Sequence, residues 1–367
     1  MKGSVDVKSS SGAYNFTAGN SILEKELTVL KQRKRFEACF LLVDENVWSH
    51  HKNYITQSFD KAGFKYQTHI IPAGEKSKSI SQWKGLVDYL LDSGVRRNTP
   101  IFAIGGGVTG DLCGFAASSV MRGVPLVHLP TTLLAMVDSS IGGKTGVNHS
   151  SGKNLVGAFY QPVEVMADIN FLHTLPEREL ANGLSEILKY GAIRDTEIFE
   201  DAGIFLKNGN PVQSNTELTK LILKCAQIKA DIVKEDEFEA GVRAHLNFGH
   251  TFAHAMEKVA NFNNLNHGEA VYLGMLAAVS LSNLEGADID DEPLRRFRQL
   301  YSFRISGNSL KVEGLLHSMK LDKKVVDENY RFVLLQDWQH PIVTSVTNVG
   351  SIKKAWLTVI NELSKRL

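Results

Sequence analysis

The chain has 367 residues, longer than one hydrophobic core usually extends, so two domains are expected. With 43% hydrophobic and 22% charged residues it has an ordinary globular composition, and a net charge of +1 gives no support for a nucleic-acid or membrane-surface partner. A phosphorylated small molecule stays compatible, because it needs only a local cluster of cations.

The N-terminal stretch MKGSVDVKSSSGAYNF is polar and lacks the apolar centre of a signal peptide. No apolar run approaches the ~18–20 residues that span a bilayer. A cytoplasmic location without membrane association is the expectation. Cys39, Cys113 and Cys225 are odd in number and far apart, which fits buried thiols of a reducing compartment and not a disulfide framework.

Along the first half, ACFLLVD (38–44), KYQTHIIP (65–72), PIFAIGGG (100–107) and VPLVHLP (124–130) read as strands. Between them ILEKELTVLKQ, HKNYITQSFDKAG, SISQWKGLVDYLLDSG and DLCGFAASSVMRG read as helices or helical turns. This alternation predicts an α/β domain with a parallel sheet and crossover helices. After ADINFLHTLP (167–176) most segments acquire helical period, from ERELANGLSEILKYGAI to EPLRRFRQLYSF, interrupted by the strand candidates ENYRFVLLQ and HPIVTSV. The expected division is therefore an α/β domain over 1–176 and a mainly helical domain over 177–367.

IFAIGGGVTGDLCGFAA sets Gly105, Gly106, Gly107 and Gly110 after a strand and before a helix, where glycine allows close backbone approach and a helix N-terminus offers N–H groups to an anion. The spacing fits G-x-G-x-x-G, but VPLVHLPTT supplies no acid to the ribose at the end of the next strand. Asp44, ending an earlier strand in LVDEN, is the candidate instead; a merely tight strand-to-helix turn is the alternative. The following segment, HLPTTLLAMVDSSIGGKTGVNHSSGKNLVGAFYQP, gathers Asp138, Lys144, Asn148, Lys153 and Asn154. With Arg122 these suit a polyanionic substrate, and a solvated loop has the same composition. In LNFGHTFAHAMEK, His250 and His254 are four apart and share one helical face. That spacing fits two metal ligands, or one ligand and one core histidine.

In order, GGGVTGD, MRG, LPTTLLAMVDSSIGGKTGVN, GKNLVGAFYQP, ELANGLSEILKYG, LNFGHTFAHA and NHGEAV resemble the 3-dehydroquinate synthases of the sugar-phosphate cyclase superfamily, from about Asp44 to Lys324. The resemblance implies a Rossmann-like NAD-binding N-terminal domain, a mostly α-helical metal-binding C-terminal domain, an active site between them, and a homodimer. It implies NAD contacts at Asp44, Asn46, Glu75, Lys78, Gly106, Gly107, Asp111, Thr131, Thr132, Asp138, Ser139, Lys153, Phe171 and Thr174. The implied ligands of one divalent ion per subunit, zinc or cobalt, are Glu186, His250 and His267. The implied catalytic and substrate residues are Arg122, Lys144, Asn154, Lys189, Lys229, Arg243, Asn247, His254 and a lysine of LDKK, either Lys323 or Lys324. Where many relatives carry a basic residue before that arginine, DEFEAGVR has Phe238.

The implied reaction converts 3-deoxy-D-arabino-heptulosonate 7-phosphate to 3-dehydroquinate and phosphate, a step of the shikimate pathway. Transient oxidation by NAD acidifies a C–H beside the phosphate-bearing carbon; elimination, re-reduction, ring opening and intramolecular aldol closure follow. Another sugar-phosphate cyclase, a metal-dependent polyol dehydrogenase and a non-catalytic binder are the alternatives.

Overall fold

The runs ACFLLVD and IFAIG have no polar edge to give to solvent, and strands made of them must be covered on both faces. A computed structural model of the chain describes residues 1–207, 211–213, 215–260, 264–305, 307, 310–320, 325–326 and 329–364. Its strands are β1 (Lys2–Ser9), β2 (Gly12–Gly19), β3 (Ala38–Asp44), β4 (Lys65–Ile71), β5 (Ile101–Gly105), β6 (Leu126–Pro130), β7 (Lys144–His149), β8 (Gly152–Phe159), β9 (Glu164–Asp168), β10 (Val325–Val326), β11 (Asn329–Leu335) and β12 (Pro341–Val346). Its α-helices are α1 (Leu23–Lys34), α2 (Glu45–Lys61), α3 (Ile80–Asp92), α4 (Gly107–Ser119), α5 (Glu177–Ile193), α6 (Glu197–Asp201), α7 (Ile204–Lys207), α8 (Asn215–Glu235), α9 (His250–Val259), α10 (His267–Leu284), α11 (Glu292–Arg295), α12 (Val312–Lys320) and α13 (Val349–Ser364).

Packing divides the chain into two units, Met1–Pro176 with Val212–Phe238, and Glu177–Pro211 with Glu239–Leu367. In the first, a seven-stranded sheet runs in the order β1-β2-β9-β6-β5-β3-β4. Only β1 is antiparallel to its neighbour, and every other pair is parallel. Strands β5, β6 and β9 are buried along their whole length. The chain leaves β3 toward β4 on one side and returns as β5 on the other, which makes the β3/β5 pair a topological switch point. Open α/β sheets bind ligands at the carboxyl ends of such strands. Val43 pairs with Ile104, so Asp44 and Gly105 end their strands side by side.

Five strands of this unit were not among the expected elements. The polar N-terminal stretch forms the β1–β2 hairpin, with Val5, Val7, Tyr14 and Phe16 buried at alternate positions. The polar segment after the glycine loop forms a second hairpin, β7–β8, and β9 precedes the boundary. The expected division also needs correction, because α8 was grouped with the helical half and packs instead on β1 and β2. Gly3 allows this: a Cβ there would lie 2.5 Å from Leu223 Cδ1 of α8. Cys39, Cys113 and Cys225 are free and buried.

The second unit is built around α10, from which fourteen residues are buried and against which α5, α9, α13 and β11 pack. A helix apolar on all sides is a core element. The expected late strand pair is present as β11 and β12, antiparallel from Tyr330–Val346 to Leu335–Pro341. Among the described residues no helix is long and apolar enough to cross a membrane.

Beyond α8 the chain is held to the first unit by Glu237, which is 6% exposed. It accepts hydrogen bonds from Ser10 Oγ (2.5 Å), Ser11 N (3.0 Å) and Gln161 Nε2 (2.7 Å). Burial opposes its ionisation, but these donors outweigh burial and hold the carboxyl at about 2, against an ordinary 4.5. A depressed acid stabilises the fold above its unfolded value and loses that contribution as pH falls through the folded one. Glu237→Gln should therefore cost about 1–3 kcal/mol at pH 7 by urea unfolding. The difference from wild type should shrink between about pH 4.5 and pH 2.

Candidate metal centre and nucleotide-binding residues

Helix α5 is buried from Leu180 to Ile193 and carries Glu186 at 1% and Lys189 at 2% exposure. Lys189 lies one turn on and its ammonium contacts Glu186 Oε2 directly. The N-terminus of α10 docks on this helix at van der Waals limits. A Cβ at Gly268 would sit 2.4 Å from Asn182 O, so only glycine fits. Gly268 N–H donates to Asn182 Oδ1, and Ser185 Oγ donates to Gly268 O at 2.7 Å. Asn266 caps α10 through a capping box with Glu269, and Glu269 accepts two bonds of 2.7 Å from Arg178. His267, first residue of α10, is thereby fixed with Nε2 at 3.5 Å from Glu186 Oε1.

His250 opens α9 behind Gly249, whose φ of 78° is left-handed. A Cβ on Gly249 would meet Met275 N at 2.8 Å, and one on Gly274 would meet Gly249 O at 2.2 Å. This glycine-to-glycine crossing brings the start of α9 onto α10, with His250 Nε2 at 3.6 Å from Glu186 Oε1. Its Nδ1 is 3.1 Å from Phe248 O, and a carbonyl can only accept, so Nδ1 carries the proton and Nε2 offers a lone pair. Burial, then the Lys189 cation, hold His250 well below its usual pKa, which keeps the ring neutral. Burial pushes His267 the same way, but the carboxylates of Glu186 and Glu257 prevail and raise it to about 10.

The ligand atoms of Glu186, His250 and His267 all lie within 4.8 Å of one another, as binding to one ion requires. One carboxylate and two imidazoles without thiolate suit zinc or cobalt. His254 is not part of that group. It is half-buried, and its ring stands perpendicular to that of His250 with centroids 5.7 Å apart. In the same unit Arg243 is 1% exposed, and Asn247 Nδ2 donates to Glu239 Oε1 at 2.6 Å. Lys323 and Lys324 lie outside the described residues.

In the first unit, Asp44 Oδ1 accepts from Asn46 N at 2.9 Å and Val47 N at 3.3 Å, capping α2 at the switch point. Gly106 caps α4, whose first N–H groups have no carbonyl one turn back to bond. A Cβ at Gly106 would meet Thr132 Cγ2 at 3.0 Å, and one at Gly107 Ser139 Oγ at 3.1 Å. Thr131 Oγ1 beside them is buried and makes no hydrogen bond among the described residues. Free amides, a side-chain-free backbone and an unused buried hydroxyl at a switch point fit a dinucleotide. Lys78 and Asp111 pair here, and Lys229 donates to Asp138 Oδ1 at 2.7 Å and Asp138 O at 2.6 Å. Burial raises the Asp111 carboxyl while Lys78 lowers it, leaving it above the ordinary value.

The β7–β8 hairpin, which carries Lys144, Lys153 and Asn154, is tied to this loop through Asn148. Asn148 Nδ2 donates to Glu75 Oε1 at 2.7 Å, Asn148 N to Lys78 O at 2.9 Å, and Asn154 N to Asn148 Oδ1 at 3.0 Å. Asn154 and Arg122 both have left-handed backbones, φ 56° and 61°. Thr174 Oγ1 is 2.6 Å from His51 Nε2, and Phe171 is buried with its ring edge-on to His51. His51, Arg178, Asn182 and Glu257 were not legible as site residues. Each is a common residue type in a helix, and only neighbours distant in sequence give it a role.

The chain matches the family models of the 3-dehydroquinate synthase N-terminal part over residues 68–182 and C-terminal part over 183–325. It is 41% identical over 319 residues to the 3-dehydroquinate synthase of Salinibacter ruber, covering 87% of each chain. It is also similar to a solved 2-deoxy-scyllo-inosose synthase complexed with carbaglucose-6-phosphate, NAD+ and Co2+ (TM-score 0.83, 27% identity, 96% of this chain and 99% of that one). A 2-epi-5-epi-valiolone synthase from Streptomyces hygroscopicus with NAD+ and Zn2+ bound matches with TM-score 0.83 at 26% identity, over 95% of this chain and 97% of that one.

The two histidines of α9 should separate by experiment. His250→Ala should lose both bound zinc and turnover, whereas His254→Ala should keep stoichiometric zinc by atomic absorption while kcat falls about 10²-fold or more.

Proposed function

The chain belongs to the 3-dehydroquinate synthase family, and from that membership we propose that it converts 3-deoxy-D-arabino-heptulosonate 7-phosphate to 3-dehydroquinate and phosphate. The observation that carries the reading is the convergence of Glu186, His250 and His267 on one point. It is supported by the amide-rich switch point of the other unit.

Glu186, His250 and His267 would hold a divalent cation, which would supply Lewis-acid polarisation, and the first unit would hold NAD, which would supply reversible hydride transfer with no net oxidation. In the first unit, Asp44, Asn46, Glu75, Lys78 and Asp111 hold the dinucleotide together with the backbone of Gly106 and Gly107. Thr131, Thr132, Asp138, Ser139, Lys153, Phe171 and Thr174 complete that set. Arg122, Lys144, Asn154 and Lys229 bind substrate from this unit, and their cations and amides suit a phosphate dianion. Departing phosphate takes the adjacent proton itself, so these residues need only hold it in register. In the second unit, Lys189, Arg243, Asn247, His254 and the lysine of LDKK bind the sugar chain. Buried Arg243 offers its planar fork to an anion shielded from water. His254, one turn from His250, holds or moves a proton on the substrate. Fixing both ends of the open chain makes the final aldol closure effectively unimolecular.

Purified protein given the heptulosonate phosphate, zinc and a catalytic amount of NAD+ should release phosphate and form the carbocycle while NADH stays near zero. Lasting NADH accumulation marks a polyol dehydrogenase and sinks the reading, as does the absence of phosphate. We further propose a cytoplasmic homodimer. Sedimentation equilibrium should then give a mass twice that of the 40.6 kDa chain, and a single-chain mass would refute it.

A further inference from the structure

Each imidazole that converges on Glu186 has two nitrogens, and the one turned away from the ion decides what the other can do. A neutral ring ligates through the nitrogen without a proton, so something must hold the proton on the far side. For His250 that group is the carbonyl of Phe248, 3.1 Å from Nδ1. For His267 it is a side chain: Nδ1 lies 3.4 Å from Glu257 Oε1, while Nε2 faces Glu186 Oε1 at 3.5 Å.

Glu257 is 5% exposed on α9, and buried carboxylates are costly unless a charge or a donor meets them. Its helix also carries His250 and His254, and its partner His267 opens the neighbouring α10. Thus α9 contributes one ligand directly and reaches the second ligand from behind. We propose that Glu257 is a positioning residue for the metal centre. Its carboxylate accepts the Nδ1 proton of His267, fixes that tautomer, orients the ring and strengthens Nε2 as a donor to a divalent cation. The inference rests on the reading of Glu186, His250 and His267 as ligands and adds a residue that none of the ligand spacing marks.

The test uses the full chain loaded with cobalt, whose visible absorption reports ligand field, with affinity measured by competition against a chromophoric chelator. Glu257→Gln keeps the shape and removes the charge. It should weaken cobalt binding about 10–100-fold and shift the visible bands. NAD affinity should stay as in wild type and the metal-free protein should keep a cooperative unfolding transition, its midpoint lowered only by the lost contact with His267, and Glu257→Asp should recover part of the cobalt affinity. Wild-type affinity and spectrum in Glu257→Gln would overturn the proposal and leave the ligand assignment standing. Loss of NAD affinity and of the cooperative unfolding transition together with cobalt would also overturn it, since the role would then be structural. Wild-type protein that takes up no cobalt would sink the ligand assignment and this inference together.

Discussion

Glu186 puts a carboxylate near the middle of a helix that is buried from Leu180 to Ile193, with 1% of its side chain exposed. An anion taken so far from water is tolerated only where positive charge or donors surround it. Much of the second unit answers that demand. Lys189 meets the carboxylate from the same helix, and two imidazoles approach it from α9 and α10. The close approach of those helices depends on glycines. Gly268 presses on Asn182, and Gly249 and Gly274 press on each other, each leaving no room for a methyl group. A capping box and the Arg178–Glu269 pair then hold the first turn of α10 so that His267 has one orientation.

The first unit is organised by chain direction. Because β4 and β5 flank β3, the carboxyl ends of β3 and β5 open beside each other without a connection crossing between them. Asp44 closes one strand and Gly105 the other, so the N-termini of α2, capped by Asp44, and of α4, which has no side-chain cap, gather at a single edge. The β7–β8 hairpin is tethered to the same edge through Asn148, and α8 sends Lys229 to Asp138. Cations thus stand near a place already rich in N–H donors, which is the electrostatic requirement for holding phosphates.

Several of these features were readable in advance. Apolar runs identified β3, β5 and β6 because strands buried on both faces leave no polar position to break the pattern. Glycines after a strand marked the α4 turn, and the motif order identified the family. The hairpins were not readable. KGSVDVKS alternates, but only Val5 and Val7 mark its buried face, and the polar residues around them in both strands outweigh that signal. KTGVNH and GKNLVGAF have a composition that loops share. Helix α8 was assigned to the wrong unit for a related reason, because an amphipathic stripe states that a helix is buried without stating against what.

By itself the sequence determined the kinds of element, the strand-to-glycine-to-helix turn, and the residue types from which a nucleotide site and a metal centre are made. Those depend on local preferences and on motifs whose residues are neighbours in the chain. How closely His250 and His267 approach the Glu186 carboxylate, where α8 lies, and that Glu257 reaches His267 were decided only by tertiary structure. Each depends on a contact between segments well separated in sequence. Their distance is set by how closely two helices, or a helix and a strand, are allowed to pack.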